Sequence, residues 1–225
     1  PLNILPPDVN SSYYRFTTNE EGDIIYGLGA LKGVGEGAIE SIIQQRELNG
    51  PYSSHEDLAN RIDLRKANRR VQEALIRAGA LDCFDTNRAQ LMQQLTNVLQ
   101  VAEQQGKSAM AGQNDLFGVS LVETTQKSNA VRVKTWSEHE RLKHEKTILG
   151  LYLTGHPFDT VRDEMSNIVS GKLAALHDME LSSPGGGQYR RAKGKPITVS
   201  GLVLNIRTRP TKSGDKIATI ILDDG

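Results

Sequence analysis

The chain contains 225 residues, and its 27 lysine and arginine residues balance 27 aspartate and glutamate residues, so the formal net charge is zero. This balance excludes a uniformly basic protein that binds nucleic acid by bulk attraction, although it allows separate basic surfaces. A single cysteine excludes an intrachain disulfide, and no apolar run approaches the roughly 18 residues of a membrane span, so we expect a cytoplasmic protein without a membrane partner.

The first 27 residues predict an extended segment followed by a β-hairpin. Pro6 and Pro7 disfavour helix before them, and residues 13–18 and 23–26 flank a turn that contains Gly22. The sequence begins without a methionine or a signal peptide and stops after two predicted strands, so we expect a piece of a larger protein.

Apolar residues at helical spacing predict four helices in the next part of the chain. A capping box of Ser53 and Glu56 marks the start of the second helix, and Gly79 marks the end of the third. We expect these helices at residues 36–48, 53–62 and 69–78, with the fourth beginning after Thr86 or Asn87.

The apolar periodicity then fails, and the polar composition of residues 105–134 predicts a flexible linker. A second capping box, Thr135 with Glu138, predicts a helix to about Leu149. After it we expect short helices at residues 158–168 and 172–179, a basic glycine-rich loop, and strands at 197–208 and 216–222.

Residues 31–37, Leu-Lys-Gly-Val-Gly-Glu-Gly, form an apolar–Gly–apolar–Gly turn between helical segments, which is the pattern of a helix-hairpin-helix motif. Glycines let backbone N–H groups approach a phosphate without an intervening Cβ, and the next helix points its positive end at the same place. Such a contact positions a duplex without reading its sequence. The candidate DNA-binding residues of this first hairpin are Lys32, Gly33, Val34, Gly35 and Gly37.

Two alternatives stay open for this glycine-rich stretch: a simple interhelical turn and a nucleotide-binding loop. Residues 26–29 suggest a dinucleotide fingerprint, but the third glycine of that pattern is missing. The Gly-Lys-Ser/Thr sequence of a P-loop is also missing. The nucleotide patterns are therefore incomplete.

A helix, a connector and a helix recur at residues 57–78, with residues 64–68 in the hairpin position. Residues 61–77 carry a net charge of +4, and we expect the tandem hairpins to hold both strands of a duplex. This second hairpin has no glycine, so we expect Asn68 to take the left-handed conformation instead. The alternative is a solvated basic helix face. The candidate DNA-binding residues here are Arg65, Lys66, Asn68, Arg69 and Arg70.

Residues 113–117, Gln-Asn-Asp-Leu-Phe, place two large apolar side chains in the predicted linker, where exposure is unfavourable unless something covers them. The pattern matches the Gln-x-x-Leu-Phe type of peptide that docks on bacterial sliding clamps, with the apolar pair as pocket-filling anchors. The alternative is that this pair pins the linker to its own domain. The candidate clamp-binding residues are Gln113, Asp115, Leu116 and Phe117.

The two C-terminal strands look like the first strands of an OB-fold, a barrel that binds single-stranded nucleic acid. Residues 189–216 carry a net charge of +7, and Gly201 predicts a bulge or a sharp bend. The alternative is any small antiparallel barrel with a solvated basic hairpin. Half a barrel exposes a strand edge, so we expect it to pair with a neighbouring chain or to be poorly ordered. The candidate single-strand-binding residues are Arg207, Arg209, Lys212 and Lys216.

The remaining chemically reactive residues predict no catalytic or metal site. His139 and His144 are five residues apart and so point to different helix faces, and His156 precedes a proline in a bend, which favours a structural role. Cys83 is expected to be a small buried residue. The sequence has no Asp-x-Asp pair that would hold two magnesium ions, so we expect no cofactor in this chain itself.

Taken together, these segments resemble the alpha subunit of bacterial replicative DNA polymerase III, downstream of its catalytic core. The resemblance covers nearly the whole chain and is carried by residues 5–10, 26–37, 73–80 and 149–157. The resemblance implies that residues 1–27 end the fingers domain and that residues 28–104 form a tandem helix-hairpin-helix domain on duplex DNA. It implies that residues 105–134 are a linker that binds a sliding clamp. Residues 135–195 would then form a helical connector with a basic loop, and residues 196–225 would begin an OB domain near single-stranded template.

The fold class expected from these parts is mainly α with β-structure at both ends. The resemblance also implies a DNA-directed DNA polymerase whose catalytic aspartates and magnesium ions lie upstream, so this fragment would be inactive alone. The other replicase subunits are further expected partners. Alternatives are the error-prone paralogue of this polymerase, with a degraded clamp peptide, a free-standing helix-hairpin-helix repair factor, and a purely structural linker region.

Overall fold

A computed structural model describes residues 3–110, 133–176, 197–212 and 214–225. The chain divides into two compact units, Pro1–Thr154 and Gly155–Gly225. The first unit is mainly helical and begins with a small sheet, and the second carries a short helix and a pair of strands. The predicted fold class, mainly α with β-structure at both ends, is confirmed.

Three short strands open the chain: β1 (Ile4–Leu5), β2 (Thr17–Thr18) and β3 (Ile24–Ile25). β2 and β3 pair antiparallel, so the predicted hairpin is confirmed with shorter strands. Its turn contains Gly22, whose φ of +86° favours glycine. β1 pairs parallel with β3 and is absent from the sequence-based prediction, because two residues carry too little alternation to be recognised.

Five helices of the first unit pack around one core: α1 (Glu36–Asn49), α2 (His55–Arg61), α3 (Arg69–Ala78), α4 (Arg88–Met110) and α5 (Glu138–Leu149). The ranges predicted for α1 and α3 from apolar spacing are confirmed to within a residue. Burying a large aliphatic side chain contributes roughly 1.5–3 kcal/mol. The fully buried leucine and isoleucine side chains of the core include Leu28, Ile39, Ile42, Leu58, Leu75, Ile76, Leu81 and Leu95.

Both predicted capping boxes are displaced along the chain. α2 is capped by Ser54 rather than Ser53: the hydroxyl of Ser54 accepts the N–H of Asp57 at 3.1 Å. The carboxylate of Asp57 accepts the N–H of Ser53, the residue before the N-cap, at 2.9 Å. A Ser-Ser pair followed by two acidic residues allows either register, and the sequence pattern does not choose between them.

α5 likewise begins later than predicted, because Ser137 and not Thr135 is its N-cap. The hydroxyl of Ser137 accepts the N–H of Glu140 at 3.3 Å. α4 begins after Asn87, whose side-chain oxygen accepts the N–H of Gln90 at 3.2 Å, as predicted for one of the two candidate caps. α4 also continues through residues 105–110 of the predicted linker, because loss of apolar spacing ends the buried face of a helix and not the helix itself.

The second unit contains α6 (Asp159–Ser166), a 3-10 helix (Leu173–Leu176) and two antiparallel strands, β4 (Leu202–Pro210) and β5 (Lys216–Asp223). The irregularity in their pairing falls between Val203 and Asn205, not at Gly201. A Cβ on Gly201 would lie 2.9 Å from the carbonyl oxygen of Asp223, so this glycine allows close backbone approach.

Two single-residue predictions have different outcomes. Cys83 is exposed, so its prediction as a buried residue is wrong: it lies in the turn that follows α3, and the amide of Asn10 donates to its sulfur at 3.7 Å. His156 is buried, and its Nδ1 accepts the N–H of Phe158 at 3.2 Å, while Nε2 lies 3.4 Å from the carboxylate of Asp223. These contacts join α6 to β5, which agrees with the structural role predicted for His156.

Candidate nucleic-acid interface

The first hairpin, residues 31–37, presents open backbone at the start of α1. Gly33 has φ +85°, which a side chain rarely adopts, and Gly35 is the N-cap of α1 with φ −79° and ψ 152°. Gly35 has no side chain to cap the helix, and a Cβ at either glycine would meet no atom within 4 Å. The N–H of Ala38 donates to the carbonyl of Gly35 at 3.1 Å, so the N–H groups of Glu36 and Gly37 are the ones left for an anion from outside.

Two neighbouring glycines have a different purpose. A Cβ on Gly27 would lie 2.6 Å from the backbone of Arg15, and one on Gly29 would lie 2.7 Å from the carbonyl oxygen of Tyr14. The N–H of Gly29 donates to that same carbonyl at 2.9 Å. Gly27 and Gly29 are thus required for tight packing inside the unit, and the incomplete dinucleotide pattern is explained by this packing.

The remaining glycine of the motif contacts the second hairpin. A Cβ on Gly37 would lie 3.5 Å from Cδ of Lys66 and 3.9 Å from its Cε, so the aliphatic stem of Lys66 lies against the first turn of α1. Val34 is partly buried and packs on the core, which holds the loop in position. The structure therefore brings Lys66 together with Gly37 of the first hairpin.

Lys32 lies at another place, the C-terminal end of α5. Its N–H donates to the carbonyl of Ile148 at 3.0 Å. Its Nζ would be 3.5 Å from a Cβ on Gly150, the left-handed C-cap of α5. A cation at this end of a helix is stabilised by the helix dipole.

Asn68 caps α3 and does not adopt the left-handed conformation expected for it. Its φ and ψ are −66° and 176°, and every described residue with positive φ is a glycine. Its side-chain oxygen accepts the N–H of Arg70 at 3.0 Å and that of Val71 at 3.3 Å. The prediction is wrong because Asn serves here as an N-cap, which needs extended backbone. The second hairpin therefore does not repeat the open amides of the first.

The second hairpin instead exposes cationic side chains, two of which have carboxylate partners. Arg65 is 3.1 Å from Asp63, and Arg69 is 3.0 Å from Glu73. The hydrogen bonds from Arg65 hold the pKa of Asp63 below its usual range. Within the described ranges no ion pair joins Lys66 or Arg70 to a carboxylate.

The four candidate residues of the C-terminal strands are exposed, but they do not share one surface. Arg207 and Arg209 are two apart on β4 and so lie on the same face. Lys216 pairs with Pro210, which lies on the other face, and Lys212 follows the end of β4. The structure therefore brings two of the four together.

The clamp-binding candidates, residues 113–117, lie outside the described residues. The described residues stop at the end of α4 and resume at Val133, beside the start of the same helix. There the amide of Asn87 donates to the carbonyl of Val133 at 2.9 Å, and the N–H of Val133 donates to Gln90 at 3.4 Å. Trp136 then stacks on His144, with ring centroids 4.3 Å apart.

A buried ion-pair network joining α4 to α5 was not predicted from the sequence. Arg88 is 3.0 Å from Glu145, which is fully buried, and 2.7 Å from Asp82. Burial raises the pKa of Asp82 despite its hydrogen bonds to Arg88. Fifty-seven residues separate Arg88 from Glu145, so no local pattern signals their pairing. The network holds α5 against the helices that carry the hairpins.

Metal-binding clusters and membrane-spanning helices are both missing from the described parts of the chain. No group of three or more histidine, cysteine, aspartate or glutamate residues there could hold a metal ion. Among the helices in those ranges, none is long and apolar enough to cross a membrane.

A family profile described as a helix-hairpin-helix motif matches residues 1–91. The chain is 42% identical over 225 residues to DNA polymerase III subunit alpha of Escherichia coli K12, covering 99% of this chain and 18% of that protein. The proteins of the same name from Pseudomonas aeruginosa and Vibrio cholerae are each 40% identical, over 99% of this chain and 19% and 18% of their own lengths. The chain spans about a fifth of these relatives. The resemblance is thus confirmed: over nearly its whole length, this chain is homologous to a segment of DNA polymerase III subunit alpha.

Proposed function

We propose that this chain is a DNA-binding region of a bacterial replicative DNA polymerase, which holds duplex DNA without reading its sequence. The proposal rests on the open start of α1. Gly35 is the N-cap residue there, it has no side chain, and a Cβ added to it would meet no atom within 4 Å. The helix-hairpin-helix match and the name shared by the relatives support the same function.

Phosphate binding at the first hairpin follows from simple electrostatics. A phosphate oxygen accepts hydrogen bonds from N–H groups at the start of α1, where the helix dipole adds roughly 0.3–1 kcal/mol at an exposed site. Lys66 and Arg70 of the second hairpin add cationic charge. All of these contacts go to the sugar-phosphate backbone, so affinity falls with salt and is independent of base sequence.

Replacing Gly35 by alanine tests this proposal directly. The φ of −79° suits alanine and the position has open space, so the fold is retained, while the new methyl group blocks the approach of a phosphate. We expect duplex affinity to fall by about tenfold, the loss of one charge-assisted hydrogen bond. Fluorescence anisotropy with a labelled duplex at fixed salt measures this change.

Gly106→Ala is the matched control, because Gly106 lies in α4 and a Cβ added there would also meet no atom within 4 Å. We expect Gly106→Ala to bind duplex like the unmodified chain. Equal affinities for Gly35→Ala and Gly106→Ala would remove phosphate binding from the first hairpin.

We also propose that residues 113–117 tether the chain to a sliding clamp. The Gln-x-x-Leu-Phe pattern supports this, as does attachment of both flanking segments to the unit that carries the hairpins. Clamp and duplex contacts on one chain raise each other's effective concentration, so a weak peptide suffices for processive synthesis. Gln113, Asp115, Leu116 and Phe117 are the proposed contacts.

We expect Leu116→Ala combined with Phe117→Ala to abolish clamp binding and leave duplex binding unchanged. The loss follows because two apolar anchors of a short peptide carry most of its binding energy. A pull-down with a bacterial sliding clamp measures the first property, and anisotropy measures the second. Retention of the doubly substituted chain on the clamp would contradict the proposal.

The remaining roles are proposed on homology alone. Arg207, Arg209, Lys212 and Lys216 would contact single-stranded template, and polymerisation would depend on aspartates and magnesium ions upstream, with no cofactor in this chain. The other replicase subunits would be further partners. The competing assignments are an error-prone paralogue, a free-standing repair factor and a structural linker region, and clamp binding through an intact peptide would disfavour all three.

A further inference from the structure

We infer that Lys32 is a positioning residue that fixes the first hairpin to the C-terminal end of α5, and that Lys66 is the lysine that meets the DNA. The inference rests on the proposed duplex binding. It assigns different roles to two lysines that are both DNA-binding candidates from the sequence. Both side chains are exposed, so exposure does not distinguish them. The residues around each lysine distinguish them.

The last carbonyl groups of α5 are bound from the hairpin side. The N–H of Lys32 donates to Ile148 at 3.0 Å, and the buried hydroxyl of Tyr26 donates to Leu149 at 3.0 Å. The ammonium of Lys32 lies beside Gly150, which ends the helix. Carbonyls at a helix C-terminus lack partners within the helix, so these contacts satisfy groups that would otherwise be costly to bury.

The same contacts determine where the hairpin begins. Lys32 immediately precedes Gly33, and the N–H of Val34 donates to the carbonyl of Leu31 at 3.3 Å. α5 is itself held by the buried pair of Arg88 and Glu145. The position of the open N–H groups of α1 therefore depends on the docking of α5, the helix that follows the proposed clamp peptide.

Lys66 has the opposite environment. Its stem packs on Gly37 in the first turn of α1, at the positive end of that helix, and its charge also acts on the carboxylate of Asp63. It is therefore available to a phosphate bound at the same turn. The ammonium of Lys32 lies at the carbonyl end of α5, whereas the side chain of Lys66 lies at the amide end of α1, where it adds charge to the proposed DNA surface.

Salt titrations of duplex affinity separate the two roles. Each lost phosphate contact lowers the slope of log affinity against log salt by about 0.9. We expect Lys66→Met to lower the slope by about this amount. Lys32→Met keeps the backbone bond to Ile148 but removes the positive charge at the end of α5. We expect this change to loosen the hairpin and weaken binding at every salt concentration, without changing the slope, because no phosphate contact is removed.

Fluorescence of Trp136, the single tryptophan, reports the docking of α5, because Trp136 stacks on His144 of that helix. Lys32→Met should shift this emission, Lys32→Arg should restore it, and Lys66→Met should leave it unchanged. Tyr26→Phe removes a neighbouring bond and should act in the same direction as Lys32→Met. The double variant, Lys32→Met with Tyr26→Phe, should lose less free energy of unfolding than the sum of the losses of the two single variants.

A reduced salt slope for Lys32→Met with unchanged Trp136 emission would make Lys32 a DNA contact and overturn the inference. Normal binding and normal emission in Lys32→Met would also overturn it. If the unmodified chain does not bind duplex, the proposed function fails. The emission and unfolding measurements would still test whether Lys32 fixes α5.

Discussion

His55 shows how burial at a single residue sets a pH dependence. It begins α2, is almost fully buried, and its Nε2 lies 2.8 Å from the side-chain oxygen of Gln72. Its Nδ1 has no hydrogen-bond partner among the described residues. Burial lowers the pKa of His55, and the hydrogen bond to Gln72 only partly opposes this effect.

The unfolded chain therefore takes up a proton on His55 before the folded chain does. Stability is complete above the unfolded pKa of about 6.5 and is lost as the pH falls toward the lower folded pKa. We expect the free energy of unfolding, measured in urea, to fall between about pH 7 and pH 5. His55→Gln should flatten part of this dependence.

His139→Gln is the matched control, since His139 is exposed on the surface of α5. It should leave the pH dependence as it is in the unmodified chain. His144 also has a pKa lowered by burial, so some dependence should remain in His55→Gln. An identical pH profile for His55→Gln and the unmodified chain would contradict this account.

Glycines show why the sequence predicts some site residues and not others. Gly29 and Gly35 lie in the same glycine-rich stretch of the sequence. In the structure, however, a Cβ on Gly29 would contact Tyr14, whereas a Cβ on Gly35 would contact nothing. Only the folded chain distinguishes a glycine that allows packing from one that leaves space for a ligand. The motif was predictable from spacing, whereas the work of each glycine was not.

At the scale of elements, the docking of α5 depends on a buried ion pair. Glu145 is fully buried against Arg88 and also accepts from Arg141 at 3.4 Å. Its other oxygen accepts the N–H of Thr154 at 3.3 Å. Every oxygen of this carboxylate is thus satisfied, which is the condition for a charge to remain buried.

Removing the charge should undock α5. We expect Glu145→Ala to lower the free energy of unfolding by about 3 kcal/mol, the lower end of the range for a broken buried ion pair, because Arg88 loses Glu145 but keeps Asp82. Glu73 pairs with Arg69 and is more exposed than Glu145, so Glu73→Ala should lower the free energy of unfolding by less than about 1 kcal/mol. Urea unfolding followed by Trp136 emission measures both. Similar losses for the two variants would show that the buried pair does not hold α5.

Elements were easier to predict than the contacts between them. α1 and α3 follow from apolar spacing and glycine stops, which are local signals. The pairing of Arg88 with Glu145 and the packing of Lys66 on Gly37 arise from tertiary contact, and nothing near these residues in the chain indicates them. Helix caps were predictable only in part. The sequence shows that a serine caps α2, but two adjacent serines allow two registers.

At the scale of the whole molecule, exposed apolar surface is concentrated in the second unit. β4 and β5 expose aliphatic side chains, and their cross-strand pairing brings Ile206 opposite Ile220. Such a surface, with unpaired strand edges, promotes association with other chains. The exposed members are Val203, Leu204, Ile206, Ile217, Ile220 and Ile221.

We therefore expect the 225-residue chain to self-associate as its concentration rises. Ile206→Lys combined with Ile220→Lys should suppress this association, because charged side chains on a strand pair oppose edge-to-edge contact. Leu48→Lys, at an exposed leucine of the first unit, is the control and should have no effect. Sedimentation velocity measures all three chains. A concentration-independent monomer in the unmodified chain would contradict the prediction.

The return of the chain to the start of α4 has a mechanical consequence. α4 has 23 residues, so its ends are about 35 Å apart at 1.5 Å per residue. Residues 111–132 are connected to one end of this helix directly and to the other through Val133. A force applied to a partner bound between them is divided between two anchorages.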